Sequence, residues 1–252
     1  YYIYESYNNS SATSLRWHEE FTSTSKTAIN VGDSTYWWRV KAVDNAGNIS
    51  EWSDLWKITV DNIAPMVDIT SHTSGDFIRG VQEIRGSVTD VNPWRYYFVI
   101  SNNSGEVVAG PGTVYDSTSF TNKLLLTLNT TTLPDGNYTI KLEARDLAGN
   151  KNSSSIDWTT VTVDNTAPVV TIISPVQNAL VSGTVNVEAE ASDVNGMGYF
   201  AIRLHQTANN GGGFIQFLCQ QQAPGANLLG VAYSQGCSFD TTEVSDGTYN
   251  VE

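Results

Sequence analysis

Asp61-Asn62-Ile63-Ala64-Pro65 returns as Asp164-Asn165-Thr166-Ala167-Pro168, displaced by 103 residues. Asp90 with Asp193, and Asn92 with Asn195, keep the same displacement. A common register held without insertion over that length marks tandem homologous domains. Asp44-Asn45-Ala46-Gly47-Asn48 likewise returns as Asp146-Leu147-Ala148-Gly149-Asn150, each copy shortly before the next Asp-Asn-x-Ala-Pro, so this motif closes a domain. Asp135-Gly136-Asn137-Tyr138 recurs as Asp246-Gly247-Thr248-Tyr249 at a displacement of 111, which places eight additional residues inside the third copy.

Between these landmarks the apolar residues alternate with period two, as strands with one buried face require. Tyr138, Ile140, Leu142 and Ala144 are expected to face a core, and Thr139, Lys141, Glu143 and Arg145 to face solvent. Tyr36, Trp38, Val40 and Ala42 form an inward set opposite Trp37, Arg39 and Lys41, and Val185, Val187, Ala189 and Ala191 form a third. No stretch shows a capped helical stripe. Short strands separated by Gly, Asn, Asp and Ser turns predict an all-β chain of tandem antiparallel sandwiches.

The spacing predicts a partial domain over 1–63, a full one over 64–166 and a third over 167–252 that lacks its last strand. The first Asp-Asn-x-Ala-Pro comes too early for a complete repeat, so the chain is expected to begin and end inside domains.

Thr35-Tyr36-Trp37-Trp38-Arg39-Val40 and Ser50-Glu51-Trp52-Ser53 resemble the late strands of a fibronectin type III domain, with Tyr36 at the tyrosine-corner position. Residues 66–163 and 169–252 resemble bacterial immunoglobulin-like repeats through Asp-Gly-x-Tyr, Asp-x-Ala-Gly-Asn and Val-Asp-Asn-x-Ala-Pro. The resemblance implies a non-catalytic structural or adhesive stalk segment of a large extracellular or cell-surface protein. Its alternatives are a spacer in a secreted polysaccharide- or protein-degrading enzyme, and a filament subunit completed by strand exchange. The partners implied are other copies or domains of the same surface protein, or a cell-surface protein or glycan.

A formal charge of −13 argues against nucleic acid and anionic membranes as partners and favours cations. No apolar run is long enough to span a bilayer. Cys219 and Cys237 fit a single disulfide of an oxidising compartment, the alternative being two buried thiols. His18, His72 and His205 have no metal-ligand spacing, and Gly211-Gly212-Gly213 reads as a hairpin tip rather than a phosphate cradle. No nucleophile elbow, phosphate-binding loop or zinc-protease motif is present, and no enzyme is expected.

The acidic landmarks carry the one cofactor expectation. In an immunoglobulin-like topology the linker enters beside the BC and FG loops. That would gather Asp61, Asn62, Asp90, Asn92 and Asp146 at the first junction, and Asp164, Asn165, Asp193 and Asn195 at the second. Oxygen ligands of this kind suit Ca²⁺. The competing reading is that each Asp or Asn caps its own turn, which D-N and A-G-N sequences do readily. Trp37, on the outward face of its strand, is a candidate stacking platform for a sugar or a partner, against simple packing on its neighbours.

Overall fold

The computed structural model describes residues 1–25, 27, 31–151, 157–206, 213–222, 233–244 and 246–251. The hairpin-tip glycines Gly211 and Gly212 lie outside the described residues. Strand accounts for 58% of the chain and helix for 3%, the latter as 3₁₀ turns such as Thr130–Thr132, so the chain is all-β. Its contacts divide it into two compact units, Tyr1–Val163 and Asp164–Glu252.

The first unit opens with β1 (Tyr2–Tyr7), β2 (Leu15–Phe21), β3 (Ser34–Ala42) and β4 (Trp56–Val60), paired in the order β2-β1-β3-β4. Tyr36 is 4% exposed and donates from Oη to Gly32 O at 2.8 Å, the back-bond expected of a tyrosine corner. Ala42, assigned inward by alternation, is exposed at the end of its strand, while the following Val43 is buried. Tyr4 packs on Trp38, and Trp38 on Trp56, with ring centroids 5.9 and 6.2 Å apart. On the opposite face Arg39 binds Glu5 at 2.9 Å, and its guanidinium lies over Trp52 at 4.3 Å. Ser50 and Ser53 pin that Trp52 segment to β3: Ser50 N donates to Ala42 O, and Ser53 N to Val40 O, both at 2.9 Å.

The same unit continues as β5 (Met66–Ile69), β6 (Phe77–Ile78), β7 (Val81–Thr89), β8 (Pro93–Asn102), β9 (Val107–Tyr115), β10 (Phe120–Asn129), β11 (Gly136–Asp146) and β12 (Asp157–Val163). These make a three-stranded sheet, β10-β7-β5, and a five-stranded one, β6-β12-β11-β8-β9. β5 pairs antiparallel with β7, whereas β6 pairs parallel with β12. The entering chain therefore crosses from one sheet to the other, and the result is an immunoglobulin-like sandwich. Ile84, Phe98, Ile100, Ile140, Leu142 and Val163 are at 0% exposure in its core, each contributing ~1.5–3 kcal/mol relative to exposure.

The second unit contains β13 (Val169–Ser174), β14 (Thr184–Ser192), β15 (Tyr199–Gln206), β16 (Gly213–Gln222), β17 (Tyr233–Asp240) and β18 (Tyr249–Val251). They form sheets β13-β14-β17 and β16-β15-β18. The burial of β14 alternates as the sequence requires, with Val185, Val187, Ala189 and Ala191 inside beside Ile202, Phe200 and Met197. Cys219 on β16 and Cys237 on β17 are disulfide-bonded with Cα atoms 6.1 Å apart, so the bond joins the two sheets. Among the described residues no strand pairing crosses Pro65 or Pro168, and no helix is long and apolar enough to cross a membrane.

Candidate metal centre

Strand alternation explains how acidic groups come to the end of an apolar core. On β7 the inward positions are Ile84, Gly86 and Val88, and the next in phase is Asp90. On β11 they are Tyr138, Ile140, Leu142 and Ala144, and the next is Asp146, which is 0% exposed. Asp61 follows β4 at the start of the linker. Ligand oxygens of Asp61, Asp90 and Asp146 lie within 4.8 Å of one another.

Neutral groups organise this cluster. The Asp146 carboxylate accepts from Asn150 N at 2.8 Å and Asn150 Nδ2 at 2.7 Å. Gly149, at φ +95°, supplies the left-handed residue that returns the chain for those bonds. Asn150 Nδ2 also donates to Asp61 O at 2.9 Å, and Asn92 Nδ2 donates to Asp61 Oδ2 at 2.8 Å. Asp90 Oδ1 accepts from Asn92 N at 2.7 Å. The two loops thus grip the linker through amides. Among the described residues no Lys, Arg or His forms an ion pair with the three carboxylates. Burial pushes the Asp90 carboxyl up; the Asn92 N–H opposes this, and the charges of Asp61 and Asp146 push it further up. Like charges held this close disfavour joint ionisation.

The donor set fits a hard cation: every candidate atom is oxygen, three are carboxylate, and one comes from a fully buried residue. Two ligands on opposite sides of Ca²⁺, each at about 2.4 Å, would be about 4.8 Å apart, so the spread suits one ion.

Of the other expected ligands, Asn92 stands at the cluster as a donor to Asp61. Asn62 turns the other way, its N and Nδ2 donating to Asp33 Oδ1 at 2.8 and 2.6 Å. At the second junction the turn bonds repeat. Thr166 N donates to Asp164 Oδ1 at 3.2 Å as Ile63 N does to Asp61 at 3.1 Å, and Asn195 N donates to Asp193 Oδ1 at 2.7 Å. Asn165 is exposed there, and Asp193 and Asn195 are half-buried. Sequence reasoning missed Asn150 and Asp33. The closing Asn of Asp-x-Ala-Gly-Asn was a usable signal for Asn150; Asp33 left none.

Trp37 is half-buried on β3, opposite Tyr7 and Lys57, while Trp56 packs on Trp38 instead. His18 binds Glu5 at 3.2 Å, and His72 is buried beside Ser71.

A family model described as bacterial Ig-like domain (group 3) matches residues 122–203, a window running from β10 into β15. Among solved structures the chain is similar to fibronectin(III)-like modules of Clostridium thermocellum CbhA, at 17% identity over 64% of this chain and 76% of that one, with a TM-score of 0.32. It is also similar to the FN1–FN3 domains of chicken CNTN1, at 12% identity over 98% of this chain and 85% of that one, with a TM-score of 0.29. No curated protein matches it in sequence.

Proposed function

We propose that this tandem of immunoglobulin- and fibronectin III-like domains is a non-catalytic structural segment of an extracellular or cell-surface stalk, and that Ca²⁺ clamps its first junction. The observation that carries the reading is the convergence of Asp61, Asp90 and Asp146 within 4.8 Å, with Asp61 on the linker and the other two at one end of the following sandwich. Three carboxylates around a linker repel one another, and a divalent ion converts that repulsion into a crosslink. Ala64-Pro65 limits bending further, because proline fixes its own φ and restricts the residue before it. The disulfide between Cys219 and Cys237 supports an oxidising, extracellular setting.

Melting the chain with and without chelator tests the reading. An ion that binds only the folded junction stabilises it by about 2.7 kcal/mol at a hundredfold excess over Kd. EDTA is therefore expected to lower the Tm and Ca²⁺ to restore it. Asp90→Asn removes one ligand and part of the repulsion, so the variant should melt at or above the ion-free wild type and ignore Ca²⁺. A Tm that does not move with Ca²⁺ in the wild type leaves these residues as turn caps. Polysaccharide hydrolysis by the chain, lost in Asp90→Asn, would replace the structural reading with a catalytic one.

A further inference from the structure

The outer face of the five-stranded sheet carries a row of cationic side chains, two of which have no carboxylate partner among the described residues. Register places Tyr115, Arg95, Arg145 and Lys151 in one row across adjoining chain segments. Arg95 stands opposite Tyr115 on one side and Arg145 on the other, and Arg145 bridges to Lys151. Adjacent strands are about 4.8 Å apart, so three cationic side chains occupy consecutive places in about 10 Å. Like charges directly opposite each other destabilise a sheet.

Glu143 is the carboxylate of this depression, which has a volume of about 210 Å³ and is lined in part by Arg95, Tyr97, Arg145 and Lys151. Lys151 at 2.7 Å and Lys141 at 3.3 Å both claim it. Burial alone would raise its pKa, but the Lys151 hydrogen bond and the Lys141 charge hold it below the ordinary value. Its negative charge is thereby already committed. Among the described residues Arg95 and Arg145 have no carboxylate partner. Arg95 lies instead over the Trp94 ring at 4.4 Å, and Trp94 meets Tyr115 with centroids 5.9 Å apart. Those rings are 36% and 68% exposed, and Arg145 is exposed.

We infer that this face binds an acidic polysaccharide, a chain of sugars bearing successive anionic groups. Guanidinium pairs take up carboxylate or sulfate oxygens in bidentate fashion, and exposed aromatic rings offer stacking surface to the apolar faces of sugars. The whole chain carries a formal charge of −13. A polyanion is therefore repelled by the molecule at large and held only where positive charge is concentrated. The inference rests on the extracellular setting proposed above but not on the cation clamp, and retention on glycan and melting with calcium report the two separately.

The test is retention of the full chain on immobilised polygalacturonate, dextran sulfate and uncharged dextran. Retention on at least one polyanion, weakening with added salt and absent on dextran, is expected. Polygalacturonate alone identifies carboxylate as the recognised group, and dextran sulfate alone identifies sulfate. Arg95→Gln combined with Arg145→Gln should weaken retention at least tenfold while the Tm holds or rises, since the opposed charges are gone. Arg145→Gln alone, at an exposed position, serves if the pair misfolds. A wild type that passes both polyanions unretained, equal retention on dextran, or undiminished retention of the variants overturns the inference.

Discussion

Asp44 and Asp146 close the same five-residue loop with the same bonds, yet their chemistry diverges with placement. Asp44 accepts from Asn48 N at 2.8 Å and Asn48 Nδ2 at 2.7 Å in an exposed loop, and the Asn48 side chain first of all holds its pKa below the ordinary value. Asp146 repeats the bonds at full burial beside two more carboxylates. The motif announces the loop; only the three-dimensional neighbours decide whether its acid is a turn cap or part of a charged cluster. Tyr138, expected from alternation only to face the core, also carries the back-bond that the fibronectin resemblance assigned to Tyr36. Its ring is 4% exposed, and its Oη donates to Pro134 O at 2.9 Å, four residues back, as Tyr36 does to Gly32. Tyr138→Phe keeps the packing and deletes the bond, leaving the Pro134 carbonyl short of a donor. It should cost about 1 kcal/mol, read from urea unfolding with an unchanged m-value. A loss below the error of that measurement would show that water replaces the bond at no net cost.

Elements were legible wherever burial has two clean sides. The alternation of β11 and β14 appears in the structure residue for residue, because each strand packs one face on a core and leaves the other to solvent. What alternation cannot convey is which sheet a strand joins. β6, only Phe77–Ile78, is too short to show a period, yet its parallel pairing with β12 defines the topology. Equally hidden was the crossing from β9 in one sheet to β10 in the other, where Asp116 works as a clasp. Its carboxylate accepts from Lys123 Nζ at 2.8 Å, Thr118 Oγ1 at 2.6 Å and Thr118 N at 3.1 Å. These bonds, Lys123 foremost, lower its pKa to about 2. An acid with a depressed folded pKa stabilises the protein above its unfolded pKa of about 3.9, and that stabilisation is lost as pH falls through the folded value. Asp116→Asn should therefore lower the Tm at neutral pH and flatten its decline between about pH 4 and 2 relative to wild type. Parallel wild-type and variant curves over that window would show that the Asp116 pKa does not differ between the folded and unfolded chain, and the clasp would contribute no pH-dependent stability.

For the molecule as a whole, the repeat legible at Asp61 and Asp164 is accompanied by two local devices, each contained in one compact unit. The carboxylate cluster lies entirely within Tyr1–Val163, and the disulfide entirely within Asp164–Glu252. The cysteines could be paired from sequence because there are only two; that they sit on β16 and β17, in different sheets, could not. Cys219 and Cys237 are 18 residues apart, and closing a loop of that size restricts the unfolded chain by about 3 kcal/mol in the chain-entropy model. The two devices share no residue, so their effects should add rather than couple. Hydrogen exchange followed by peptide mass spectrometry can assign each effect to its unit. Reduction, or Cys219→Ser with Cys237→Ser, should raise exchange in β14–β17 and leave β7, β8 and β11 as they were. Chelation should do the reverse, loosening the linker at Asp61 and the ends of β7 and β11 without touching the second unit. Loss of protection throughout the chain under either treatment would mean that the units unfold together, and the division of the molecule into separately stapled parts would have to be abandoned.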